Sequence, residues 1–255
     1  MKTLVIGCLL IVLFFLCRAQ VRTVASGQTF NSRGVPIYYM VEGRGESVVL
    51  IHGLHSSAEL NWHRPGIGRA LATNFQVIAL DVRGHGRSGK PEREADYGVQ
   101  MAEDVSRLLD QLKLDRAHIV GYSLGGMIAL KLAVKHPQRV QSLALGGMGW
   151  LRAGGALQSL WQRLPEREST RTPAACVRSI GELAVTEAEV KSLRLPATVL
   201  VGDRDPVRRL YVAPLQNLRP DWSVILIEDA DHLNCIVKNQ FKEELKKWLE
   251  GNIRR

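Results

Sequence analysis

Gly121-Tyr122-Ser123-Leu124-Gly125-Gly126 lies between an apolar, β-branched run, Ala117-His118-Ile119-Val120, and a helical pattern from Met127 to His136 that Pro137 stops. Strand, sharp turn and helix form the setting that a G-x-S-x-G nucleophile elbow requires. Each flanking glycine has a steric task, because a Cβ at 121 or 125 would crowd neighbouring backbone. The turn lifts the serine Oγ clear of the sheet. The helix that follows aims N–H groups and the positive end of its dipole at the same point.

The other elements place this turn in an alternating α/β chain. Gln28-Thr29-Phe30 and Pro36 to Val41 flank Asn31-Ser32-Arg33-Gly34, the pattern of a β-hairpin. Buried-strand runs follow at Ser47–Ile51, Phe75–Leu80, Val140–Leu145, Ala197–Val201 and Ser223–Ile227, and helical spacing covers Val99–Leu112 and Phe241–Leu249. Alternation of this kind predicts a mostly parallel sheet covered on both faces. From Trp150 to Arg194 it lapses into short helical patterns broken by Gly154-Gly155, Pro165 and Pro173, which predict a small helical cap over about 150–194. Its apolar groups Leu151, Leu157, Leu160, Trp161 and Leu164 either pack the cap onto the core or line a pocket beneath it.

Length and composition suit one domain. The chain has 255 residues, 45% hydrophobic and 23% charged, within the range of a single α/β core. Lys2, the apolar run Leu4–Cys17 and the small residues before Gln20 read as a secretory signal peptide over 1–19. The apolar run is shorter than the roughly 20 residues of a membrane span, so export after cleavage near Ala19 is expected, with a retained tether as the alternative. The domain proper then covers 20–255. Outside the signal the cysteines are Cys176 and Cys235. They read as buried thiols, although export leaves a disulfide open. The formal charge of +9, two of it from Lys2 and Arg18, is spread along the chain. It suits a basic solvated surface and carries no nucleic-acid motif.

A serine nucleophile needs a base, an acid and oxyanion donors, each just past a strand end, where open α/β sheets place their ligands. His232, in Glu228-Asp229-Ala230-Asp231-His232, directly follows the last strand. Gly202-Asp203-Arg204-Asp205-Pro206 offers two acids after the penultimate strand, whereas Gly146-Gly147-Met148-Gly149-Trp150 has no carboxylate. Asp205 is preferred, because Asp203 is closer to the strand end and suits a bond to the turn backbone. The Leu124 N–H follows the nucleophile and the Leu54 N–H lies in His52-Gly53-Leu54-His55; these are the expected oxyanion donors. His52 reads as structural, its ring bonded to nearby loops. Asp81 to Gly89 is glycine-rich but lacks P-loop spacing, and reads as a structural loop beside the site.

With His52-Gly53, Asp81–Gly89, Gly121–Gly126, Gly202–Pro206 and Asp231-His232 in this order, the chain resembles the serine α/β-hydrolase family from about residue 25 to 250. The resemblance implies a mostly parallel eight-stranded sheet flanked by helices. It assigns Ser123 as nucleophile, Asp205 as acid and His232 as base, with no metal or organic cofactor. The Ser-x-Gly-Gly elbow is similar to those of enol-lactonases, carbon–carbon bond hydrolases of ring-cleavage products, and small carboxylesterases. A serine at 123 argues against haloalkane dehalogenases and epoxide hydrolases. The short cap and the export signal favour a small-molecule ester or lactone as substrate. A carbon–carbon bond hydrolase and a binding protein with little turnover are the alternatives. Nucleic acid is not an expected partner, and a membrane is one only if residues 1–19 are retained.

Overall fold

In a computed structural model that describes residues 26–163 and 172–253, eight strands form one sheet. The strands are β1 (Ser26–Ser32), β2 (Val35–Gly43), β3 (Glu46–Ile51), β4 (Phe75–Leu80), β5 (Ala117–Tyr122), β6 (Val140–Gly146), β7 (Ala197–Gly202) and β8 (Ser223–Ile227). Their order is β1-β2-β4-β3-β5-β6-β7-β8. The β1–β2 and β2–β4 pairings are antiparallel and the rest parallel. The expected hairpin is present. Arg33 and Gly34 turn it at φ 53° and 88°, the left-handed pair that matches the twist of two-residue hairpins.

Period-two alternation in the strands builds two cores. Val49, Ile51, Ile119, Leu143 and Val199 face one side, and Val48, Leu50, Val120, Ala144 and Leu200 face the other. The first side is covered by α2 (Val99–Gln111) and α3 (Leu124–Lys135), the second by α1 (Ile67–Leu71) and α8 (Asn239–Glu250). Helix α8 is amphipathic, and it buries Phe241, Leu245 and Leu249 at four-residue spacing. The region from Trp150 to Arg194 holds α4 (Ala156–Gln162), α5 (Ala174–Arg178), a 3-10 turn Ser179–Leu183 and α6 (Glu187–Ser192); α7 (Ala213–Leu218) lies between β7 and β8.

The two cysteines belong to different faces. Cys176 is buried in the first core and Cys235 in the second, and both are free. Burial pushes each thiol up to about 12. The expected signal segment and Leu164 lie outside the described residues. Among those described, no helix is long and apolar enough to cross a membrane.

Candidate active site

The elbow is built as its glycines demand. A Cβ on Gly121 would run into the Gly125 carbonyl oxygen, and one on Gly125 into the Ile51 carbonyl oxygen, so β5, α3 and β3 approach at backbone contact. Between them Ser123 takes φ 54° and ψ −116°, a conformation L-residues rarely adopt and that costs about 1–3 kcal/mol. The strain is held from both sides: Ser123 N–H donates to the Gly146 carbonyl at 2.8 Å, and its own carbonyl accepts from Gly126 N–H at 2.8 Å. The Oγ is left free of any helix-capping bond.

That hydroxyl meets His232. Nε2 of His232 lies 2.9 Å from Ser123 Oγ, and Nδ1 lies 2.8 Å from Asp205 Oδ2. A carboxylate only accepts, so Nδ1 carries the proton and Nε2 presents its lone pair to the serine. The Asp205 side chain is fully buried, whereas His232 is 30% exposed. The second carboxylate oxygen of Asp205 accepts the Val207 N–H at 2.9 Å, which fixes the rotamer. Asp203 does something else. It accepts the N–H groups of Ala230 and Asp229 at 3.0 and 3.2 Å and so ties β7 to the loop that carries His232. The Ala230 N–H is the main reason its carboxyl lies below the usual range.

The N–H groups of Leu54 and Leu124 are the expected oxyanion donors. Leu124 opens α3, and neither its N–H nor that of Leu54 meets a protein acceptor among the described residues. Both leucines line the same cavity as Ser123. His52 holds the Leu54 loop. Its Nδ1–H donates to the Gly53 carbonyl at 2.7 Å, and its Nε2 accepts the Val82 N–H at 3.0 Å. Burial pushes its ring down to about 4, so it stays neutral. The Asp81–Gly89 loop is structural as well: Asp81 accepts the Ala58 and Arg87 N–H groups, each at 2.8 Å.

The cavity has a volume of about 380 Å³, at the small end of ligand sites. Met127, Met148, Ile180 and Val207 make its walls apolar, and among the described residues no Lys, Arg, Asp or Glu lines it. Trp161 and Tyr211 close one side, with Trp161 Nε1–H donating to Tyr211 Oη at 3.1 Å. The expected cap residues therefore divide. Leu151 and Leu157 pack into the core, and Trp161 reaches the cavity. Leu160, one step round the helix from Trp161, faces solvent. Among the described residues no cluster of three or more His, Cys, Asp or Glu is placed to hold a metal ion.

A family profile described as alpha/beta hydrolase fold matches residues 46–178. The chain belongs to the α/β-hydrolase family. A putative carbamate hydrolase RutD of Azorhizobium caulinodans is 36% identical over 147 residues, 56% of this chain and 52% of that one. A 2-hydroxy-6-oxo-6-phenylhexa-2,4-dienoate hydrolase of Comamonas testosteroni is 35% identical over 119 residues, 46% of this chain and 41% of the other. The chain thus spans about half the length of these curated relatives, or less. Among solved structures, a bacterial membrane phospholipase A described as a virulence factor superposes with a TM-score of 0.70 at 26% identity, over 91% of this chain and 87% of that one.

Within this α/β-hydrolase, sequence reasoning missed Tyr122. Its Oη–H donates to the His232 carbonyl at 2.6 Å, and its ring lies 5.8 Å from the imidazole at 33°. Gly146 and Gly147 make the slot for that ring, since a Cβ on either would collide with it. The signal in the sequence is the glycine pair Gly146-Gly147 at the end of β6.

Proposed function

We propose that this chain is a serine hydrolase that cleaves carboxylic ester or lactone bonds of small to medium, partly apolar substrates. The observation that carries the reading is the half-buried Ser123 Oγ, on a strained turn at the cavity wall, 2.9 Å from His232 Nε2, with the other ring nitrogen on buried Asp205. In this reading His232 takes the serine proton as Oγ attacks the carbonyl carbon. The Leu54 and Leu124 N–H groups hold the oxyanion, each worth about 3–4 kcal/mol in the transition state. His232 then protonates the leaving alcohol, and water, deprotonated by the same ring, releases the acid from the acyl-enzyme. Asp205 orients the ring and stabilises the imidazolium. The likeness to a membrane phospholipase A supports an acyl substrate.

The relative named for a phenylhexadienoate favours a second reading, carbon–carbon bond hydrolysis. A dienoate carries a carboxylate, and the apolar lining offers it no cationic partner among the described residues. That supports the ester reading over it.

Turnover of short-chain nitrophenyl esters and of lactones, abolished in Ser123→Ala, is the expected outcome. A folded protein that turns over the dienoate but no ester would overturn the assignment. Export is part of the same proposal: mass spectrometry of the exported chain should find a mature start at Gln20, and a retained Met1 would make residues 1–19 a tether.

A further inference from the structure

Scattered exposed leucines need no explanation, but three of those here adjoin the cavity lining in sequence. Among the described residues, seven large apolar side chains are exposed. Three of them, Leu160 at 55%, Leu210 at 44% and Leu233 at 84%, are immediate sequence neighbours of cavity-lining residues, namely Trp161, Tyr211 and His232. The Trp161–Tyr211 hydrogen bond ties the first two together across the cavity wall. Val207 and Tyr211 face the cavity four residues apart, so Arg208, Arg209 and Leu210 between them all point outward and are exposed.

The charges beside this collar are also unmatched. Arg208 and Arg209, and Arg163 at the end of α4, meet no carboxylate among the described residues. Two residues before Leu233, the exposed carboxylate of Asp231 accepts the N–H groups of Leu233 and Asn234 at 2.8 and 2.9 Å and stays charged, so the basic part of the collar is the Leu160–Leu210 side. Exposed aliphatic groups beside unpaired arginines, around the mouth of an apolar cavity, match an anionic lipid interface. An acyl chain passing from such an interface into the cavity would cross no water.

We propose that the collar of Leu160, Leu210 and Leu233, with Arg163, Arg208 and Arg209, docks the mouth of the cavity onto an anionic phospholipid surface. The proposal deepens the ester-hydrolase reading and rests on it for the substrate alone. The docking itself is measured without turnover, in a Ser123→Ala background.

The experiment places a polarity-sensitive fluorophore on Leu210→Cys in the full chain. Cys8 and Cys17 are changed to serine, while Cys176 and Cys235 are buried and unreactive. A second chain carries the probe on Asp115→Cys, exposed just before β5 at the opposite end of the sheet. Vesicles of phosphatidylglycerol or phosphatidylcholine carry a doxyl quencher. The expected result is a blue shift and several-fold stronger quenching at position 210 than at 115 with phosphatidylglycerol, and less with phosphatidylcholine. Arg208→Glu with Arg209→Glu should bring position 210 down to the level of 115, with circular dichroism unchanged. Equal quenching at the two positions, or quenching at 210 indifferent to lipid charge and to the arginine reversals, would overturn the proposal. So would a concentration-dependent blue shift at 210 without vesicles, which would make a second copy of the chain the occupant. Because no hydrolysis is read, failure here leaves the ester reading standing, and failure of that reading leaves this result interpretable.

Discussion

Among the described residues, two serine–histidine–carboxylate chains of hydrogen bonds are present. At the C-terminal ends of the strands, Ser123 meets His232 at 2.9 Å and His232 meets Asp205 at 2.8 Å. Near the N-terminal ends, Ser142 on β6 meets His118 on β5 at 2.7 Å, and His118 meets Glu46 on β3 at 2.9 Å. Residue types and distances match, yet only the first has the surroundings of a reactive site. Ser142 and His118 are fully buried, in register between neighbouring strands, and no described cavity opens on them. Ser142 also lacks the positive φ that lifts Ser123 out of the sheet. A hydrogen-bonded triad can therefore do no more than satisfy a buried histidine. What marks Ser123 is the strained turn, the two unpaired N–H groups and the apolar cavity.

The sharpest way to break this contrast is to remove each serine. Ser123→Ala should lower turnover by ~10⁴-fold or more, whereas Ser142→Ala should leave it within about twofold and cost about 1–3 kcal/mol of stability for the lost Ser142–His118 hydrogen bond, the bond to Glu46 remaining. Ester kinetics and thermal melting on both variants would read this. Comparable losses of turnover in the two would erase the distinction.

Next in size is the elbow backbone. Gly125→Ala puts a Cβ against the Ile51 carbonyl, and the melting temperature should fall by about 10 °C, or the chain should fail to fold. Unchanged melting would mean that β3 and α3 do not press together as described.

The loops beside the first site are also held by neutral buried histidines, and this makes a pH prediction. Burial pushes His52 down to about 4 and His85 to about 3, the latter helped by His52 beside it. The unfolded chain takes up both protons near pH 6.5. Their stabilisation is thus complete above about pH 6.5. It is lost as pH falls toward 4 and then 3, by on the order of a few kcal/mol in all. Melting followed from pH 7.5 down to 4 should be level to about pH 6.5 and decline below it, and a His85→Phe variant should show a shallower decline.

The smallest effect concerns Tyr122. Tyr122→Phe keeps the ring in its slot and removes the hydroxyl that bonds the His232 carbonyl and also meets Cys235 and the Ile236 backbone. Turnover should fall about tenfold with KM unchanged. A rise in KM alone would place Tyr122 in substrate binding instead.

Much of this arrangement was legible in the sequence. Strand ends were read to within a residue or two, because β-branched runs such as Phe75–Leu80 stop at turn residues. The choice of Asp205 over Asp203 followed from distance along the turn, and the structure places their carboxylates on His232 and on the loop backbone respectively. What stayed hidden depends on contacts between distant segments. The insertion of β3 between β4 and β5 has no local signature. The grip of Tyr122 on the His232 loop spans 110 residues. The outward turn of Leu160 is set by Trp161 occupying the inward stripe of a seven-residue helix.

The central claim is that one hydroxyl, Ser123 Oγ, is activated. Treating the folded protein with a fluorophosphonate and mapping the adduct by peptide mass spectrometry tests it most directly. A single adduct on Ser123, absent from His232→Ala and undiminished in Ser142→Ala, is the expected result. An adduct on another residue, or none on the folded protein, would contradict it.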